Sequence, residues 1–243
     1  PPRIEAFMNY VVFDLEWNQG TAQTTVEEIP FEIVEIGAVR LNDGLEITGT
    51  FQILVNPVVY KVINYQTHKV MPLTMDELRE GGVSFRQAAE RFFEWCGESG
   101  SYRFCTWGST DLTQLQKNLD YFDMPFPGHT PIKYYDIQRC FDLSSHENGK
   151  HNCVALEDAV SQLGIEKNSS FHRALGDAEY TAAVMQHLDI ELIRQYFSLD
   201  YYHNPKTRDE EILVHYPDYT LFVSREFEDR EELMKDAEVR STR

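Results

Sequence analysis

The stretch NYVVFDLE (residues 9–16) decides the fold. Tyr10 to Phe13 are aromatic or β-branched, and acids follow at Asp14 and Glu16. That is the composition of a buried strand whose far end opens onto something polar. Asp14 and Glu16 are two apart, so on a strand both side chains leave the same face. Two carboxylates closing an apolar strand are costly unless an opposite charge compensates them. A divalent cation is the natural partner, because hard cations prefer oxygen ligands. In open α/β sheets ligands also collect at the C-terminal ends of strands. Taken alone, the pair is equally the solvated end of an ordinary strand.

Outward from this strand, residues 17–30 are polar and read as a loop, and EIVEIGAVRL (32–41) is a second strand. Asn42-Asp43-Gly44 is a hairpin turn signal, which makes residues 45–55 a third, antiparallel strand. Residues 58–73 read as irregular. Thr74 caps a short helix, with Glu77 at the capping-box position. Ser84 opens a second helix with apolar residues at 85, 88, 89, 92, 93 and 96. SYRFCTW (101–107) is a fourth strand, Asp111 to Tyr121 a helix, and KYYDI (133–137) a fifth strand or a strand–helix junction. VALEDAVSQLGI (154–165) is helical with Gly164 as its C-cap, and another helix runs from near Arg173 to about Met185. A strand meander followed by alternating helix and strand predicts an α/β domain with a mixed sheet flanked by helices.

Beyond about residue 190 the chain changes character. ILVHY and YTLFVSREF read as a small hairpin around Pro217-Asp218, and the last stretch is dense in charge. The expected division is a cloning remnant or short extension over 1–8, the main domain over 9–189, and a C-terminal extension over 190–243 with no role assigned.

Composition narrows the function. With 243 residues and 42% apolar side chains the chain can bury a core of good size. No apolar run approaches the roughly 18 residues of a membrane span. PPRIEAF has no apolar core of a signal peptide, so the expected location is the cytoplasm. Cys96, Cys105, Cys140 and Cys153 include no C-x-x-C pair, which argues for free thiols rather than a zinc site. The net charge of −18, from 22 basic and 40 acidic residues, opposes an unaided grip on long nucleic acid. It is compatible with an enzyme that holds one strand end through bound cations.

Three further residues are candidates. Asp111 follows TWGST after the fourth strand and is, by itself, a common helix cap. His172 and Asp177 are five apart in HRALGDA. In one continuous helix they would face about 140° apart. A shared site therefore wants His172 on a turn and Asp177 in the first turns of the helix. Gly176 beside Asp177 would let that helix approach the sheet closely.

Asp14-x-Glu16 after a strand, Asp111 after a fourth strand, and His172-x4-Asp177 at a helix start resemble the three exonuclease motifs of the DEDD superfamily, histidine subtype. That group has an RNase H-like fold with a mixed five-stranded sheet. EIVEIGAVRL resembles its second strand. HKVMPLT (68–74) resembles its H-x-I-T-G-I-T segment, with Pro72 where Gly is usual. VALEDAVSQLGI resembles the helix before the third motif. The resemblance covers about residues 9–188. The WGSTD and DLEW forms look like the small-RNA and histone-mRNA trimming exonucleases and the KapD-like proteins, which leans the substrate toward RNA.

The resemblance implies two Mg²⁺ or Mn²⁺ ions held by Asp14, Glu16, Asp111 and Asp177, with His172 as general base. It implies release of nucleoside 5′-monophosphates from single-stranded RNA or DNA 3′ ends. It also implies that backbone near Leu15, the side chain of Leu73 and a stacking face on Trp17 hold the terminal base. No membrane partner is expected, and the oligomeric state is left open. Two alternatives remain: an exoribonuclease for dinucleotides or short oligomers, which suits the negative charge, and a non-catalytic nucleic-acid-binding module on the same fold.

Overall fold

A computed structural model describes residues 8–128, 132–145 and 153–195, and the short strands at 197–199, 213–214 and 221–222. The backbone forms β1 (Asn9–Gln19), β2 (Phe31–Leu41), β3 (Ile47–Leu54), α1 (Tyr65–Val70), α2 (Met75–Gly81) and α3 (Phe85–Cys96). These are followed by β4 (Tyr102–Thr106), α4 (Thr110–Tyr121), β5 (Lys133–Asp136), α5 (Ile137–Ser145), α6 (Leu156–Gln162), α7 (Ala174–His187) and α8 (Ile190–Gln195). Three short strands complete it: β6 (Phe197–Leu199), β7 (Leu213–Val214) and β8 (Leu221–Phe222).

Five strands make the expected mixed sheet in the order β3-β2-β1-β4-β5, and β6, β7 and β8 lengthen it beyond β5. β1, β2 and β3 run antiparallel, whereas β4 and β5 lie parallel to β1 and to each other. Of the hairpin expected around Pro217-Asp218, β7 and β8 pair antiparallel, and the turn itself lies outside the described residues.

Alternation along β1 divides the molecule into two layers. Val11, Phe13 and Leu15 face α3 and α4, packing on Phe85, Ala88, Phe92, Leu112, Leu115 and Leu119. Tyr10 and Val12 face the other way, against Ile137, Phe141, Val160, Ala178 and Met185 from the helices after β5. Asp14 and Glu16 continue this second series, so they emerge on the α7 side. Cys96, Cys105 and Cys140 are buried free thiols within the two layers, and Cys153 is an exposed one.

Local signals explain most element ends. Thr74 with Glu77 and Ser84 with Gln87 form the capping boxes of α2 and α3. The irregular segment expected at 58–73 contains α1, capped by the Asn64 side chain, which accepts from the Gln66 N–H. β5 turns directly into α5, and Asp136 Oδ1 accepts from the Arg139 N–H. The loop expected from residue 17 starts later, because β1 stays paired with β2 to Gln19. Ile193 of α8 is buried in the same layer as α7, so the core runs past residue 189.

One close approach sets the position of α7. A Cβ at Gly37 of β2 would lie 2.0 Å from the Leu175 N and 2.1 Å from the Ala174 C. The helix thus crosses the sheet where β2 has no side chain. Gly176, expected to serve this purpose, faces elsewhere: its Cβ would meet the Ser170 carbonyl oxygen at 2.3 Å. It lets the preceding loop fold back on the helix instead.

Gly37→Ala should therefore push α7 off the sheet. Overpacking of this kind costs about 1–3 kcal/mol. Urea denaturation should show a loss at the upper end of that range, while Gly44→Ala, in the open β2–β3 turn, stays within about 0.5 kcal/mol of the parent. Equal effects at the two sites would refute the close-approach reading.

Candidate functional site

Asp14 and Glu16 leave β1 on the face that α7 covers. Directly opposite on β2 stand Gly37 and Glu35 respectively. Gly37 admits the helix, and Glu35 ties it down. The Glu35 carboxylate has no exposed surface. It accepts from Arg173 Nη2 at 2.7 Å, Arg173 Nε at 3.0 Å, Gln52 Nε2 at 2.7 Å and the Ala174 N–H at 3.2 Å. Arg173 is the N-cap residue of α7 but makes no side-chain cap of its own. Glu35 caps the helix from the neighbouring strand, placing a negative charge at its positive end.

The turn before α7 is held by its own helix. Tyr180 Oη accepts from the Ser169 N–H at 2.9 Å and donates to the Ser169 carbonyl. Phe171 stacks on Tyr180 with centroids 4.3 Å apart. His172 consequently sits in the left-handed region at φ 59°, exposed, one residue outside the helix. Its backbone N–H donates to Asp177 Oδ2 at 3.0 Å. This is the turn-plus-first-turn arrangement that the five-residue spacing demanded.

Glu16, His172 and Asp177 converge: one ligand atom of each lies within 4.8 Å of the others. Asp111 arrives from the opposite layer. It lies in the first turn of α4, and its Oδ1 accepts the Leu15 N–H at 3.1 Å. It is a bridge to β1 and not the cap that its sequence position suggests; Ser109 is the N-cap residue. Asp136, at the end of β5, braces the turn before α4 by accepting the Gly108 N–H.

The acids repel one another and are poorly hydrated. Burial, then the charges of Asp111, Asp177 and Glu16, raise the Asp14 carboxyl well above the ordinary aspartate range. Burial, then Asp177 and Glu35, push Glu16 up to about 8, against a smaller lowering by Arg173. Asp111 rises to about 7, chiefly by burial, although the Leu15 N–H holds it down. Burial also lifts Asp177 to about 6, despite the His172 N–H.

Asp177 Oδ1 is buried and has no hydrogen-bond partner among the described residues. Unpaired buried carboxylate oxygen is costly. A divalent cation supplies what this oxygen and the clustered charges lack, so the residue set fits one. The candidate donors are carboxylate oxygens, a set that suits a hard divalent cation, with the His172 imidazole beside them.

The residues expected to hold the terminal base lie differently. Leu15 packs in the α3–α4 layer, with its N–H engaged by Asp111. Trp17 leaves β1 on the face away from Glu16 and packs against Phe31 at 5.7 Å. That orientation follows from the period of two, and the ring stays half-buried. Leu73 is 3% exposed and packed with Val34, Met71 and Leu78. Glu35 and Gly37 escaped the sequence reading, although EIVEIG offers a signal: an acid and a glycine interrupting a fully buried strand.

A protein-family model described as Exonuclease (RNase_T) matches residues 11–185. The chain is 25% identical over 171 residues to "Probable 3′-5′ exonuclease KapD" of Bacillus subtilis, covering 69% of this chain and 78% of the relative. The solved nuclease domain of 3′hExo, described as a DEDDh family member bound to rAMP, superposes with a TM-score of 0.62 at 20% identity. That match covers 75% of this chain and 92% of the other. A structure of 3′-end recognition of histone mRNA stem-loop by a 3′-exonuclease gives a TM-score of 0.62 at 20% identity, with coverage of 74% and 63%. At these identities the solved structures establish the RNase H-like fold. No helix among the described residues is long and apolar enough to cross a membrane. The matched family, spanning most of the chain and both ends of the acidic cluster, makes this protein a member of the DEDD 3′-5′ exonuclease family.

Proposed function

We propose that Asp14, Glu16, Asp111 and Asp177 hold two divalent cations and that His172 is the general base of a hydrolysis releasing nucleoside 5′-monophosphates from single-stranded 3′ ends. The observation that carries this reading is Asp177. One of its oxygens fixes the His172 backbone, and the other is buried without a partner beside Glu16. One carboxylate thereby sets both the base and a metal ligand.

Bound cations would lower the pKa of the attacking water and offset charge on the scissile phosphate. The chain's own residues do the rest. Glu16 and Asp177 define the place where a water can lie within reach of His172. The exposed imidazole takes its proton and passes it to solvent. Asp111, fixed by the Leu15 N–H, would hold the cation that offsets charge on the leaving oxygen. Glu35 and Arg173 keep α7 in place but touch no reacting atom. The exonuclease unit in this reading covers residues 9–189 together with α8, whose Ile193 shares its core.

RNA is the favoured substrate over DNA. The WGSTD and DLEW forms support this. A preference for dinucleotides or short oligomers is the second reading, supported by the net charge of −18.

Asp14→Ala should abolish release of mononucleotides from labelled RNA and DNA oligomers in Mg²⁺ or Mn²⁺ while the circular dichroism spectrum is kept. More than a tenth of parental turnover would refute its metal role. His172→Asn should lower kcat by at least a hundredfold, with metal affinity changed less than threefold. Equal losses in a metal titration would count against the base.

The raised carboxyl groups also give a pH signature. Glu16, Asp111 and Asp177 hold protons to about pH 8, 7 and 6, above their ordinary values of 4.5 and 3.8. The folded state therefore binds more protons than the unfolded chain between about pH 4 and 8, so stability falls as pH rises through this window. The Tm of the metal-free protein should drop from pH 5 to pH 8, and Mn²⁺ should raise it more at pH 8. A Tm that is flat with pH and insensitive to Mn²⁺ would contradict the cluster.

A further inference from the structure

The next residue along the acidic face of β1 is Asn18, which is fully buried. Its Nδ2 donates to the Tyr60 and Val62 carbonyls, and its Oδ1 accepts the Asn64 N–H. Opposite it on β2, Glu32 accepts the Val58, Val59 and Tyr60 N–H groups. Two buried polar side chains thus fasten residues 58–64, and the start of α1, to the strand ends just past Glu16. Asn64 adds a bond from its Nδ2 to the Gly20 carbonyl.

What this fastened segment presents is unusual for the chain. Four of the six large apolar side chains exposed among the described residues lie here: Val58, Val62, Tyr65 and Val70. Tyr65 is 70% exposed, and Lys69 Nζ lies 4.4 Å from its ring centroid. Lys61 is exposed as well. From Ile47 to Met75 there is no acidic residue, in a chain that carries 40 acids. A rigid, acid-free rim with an open aromatic ring and two lysines has the chemistry of a single-strand binding surface: base stacking with phosphate neutralisation.

We propose that residues 58–70 form the track for the nucleotides upstream of the scissile bond, with a base stacked on Tyr65 and phosphates at Lys69 and Lys61. The proposal rests on the exonuclease reading above and deepens it. A strand whose 3′ end lies at Asp14 and Glu16 leaves the site along β1, past Asn18, and meets this rim. The chain's net charge of −18 opposes a polyanion, so an acid-free rim also favours one direction in which the strand departs.

The test compares Tyr65→Ala/Lys69→Ala with the parent and with Tyr65→Phe. Three readouts are used: hydrolysis of the p-nitrophenyl ester of thymidine 5′-monophosphate, cleavage of an eight-nucleotide oligouridylate, and fluorescence anisotropy of that octamer in Ca²⁺. The ester, which has no upstream strand, should be cleaved within twofold of the parent. For the octamer, KM and Kd should rise at least fivefold, kcat should stay within twofold, and Tyr65→Phe should retain parental values. Unchanged octamer KM and Kd, with ester cleavage intact, would overturn the track and leave the active-site reading standing. No cleavage of either substrate by the parent would overturn that reading, and the anisotropy would then decide the track alone: a fivefold loss supports it, and an unchanged Kd or no parental binding ends it. Self-association of the parent that disappears in the double variant, with octamer affinity unchanged, would assign the rim to protein contact and likewise overturn the track.

Discussion

Four donors close on the carboxylate of Glu35, which has no surface of its own in contact with solvent. The site depends on this anchor. Asp177 and His172 belong to α7 and the turn before it, whereas Asp14 and Glu16 belong to the sheet. The bond network of Glu35 with Arg173 and Ala174 fixes one relative to the other across the open end of the strands. Breaking a fully buried ion pair by removing one partner costs about 3–5 kcal/mol. Arg173 is about a third exposed, so the cost here is smaller. Its consequence is nonetheless direct, because the helix end that would shift carries two of the site residues.

The face of β1 that carries the acids is organised in successive cross-strand rows. Asp14 stands opposite Gly37, Glu16 opposite Glu35, and Asn18 opposite Glu32. The first row admits α7, the second anchors it, and the third fastens the rim of residues 58–64. A bulge between the second and third rows lets β2 bend toward the rim, and Val34 at the bulge packs under Leu73 and Leu78. The opposite face of the same strand contributes Val11, Phe13 and Leu15 to the other layer. One strand therefore supplies both the core and the chemistry, and its alternation keeps them apart.

The acidic cluster is a poised arrangement. Burial and the carboxylates' mutual repulsion raise these groups above their ordinary ranges. Such a cluster exchanges protons for cations. The chain's net charge of −18 opposes nucleic acid, which gives weight to an acid-free rim beside the site.

The sequence by itself determined the strand carrying Asp14 and Glu16, the order of the five main strands along the chain, most helix starts, and the four acids and one imidazole of the candidate site. These are local matters: period-two alternation, turn signals and capping boxes act within a few residues. It also determined that His172 must lie outside the helix bearing Asp177, since helical geometry forbids the alternative. Tertiary structure alone decided the rest. Asp111 bonds to the Leu15 N–H across 96 residues, and Glu35 reaches Arg173 across 138, distances over which no local pattern carries information. The approach expected at Gly176 occurs at Gly37 instead, because a glycine announces freedom of approach but not what approaches. The packing of Trp17 and Leu73 was not legible because it depends on Phe31, Val34 and Met71, partners that only the folded chain brings near.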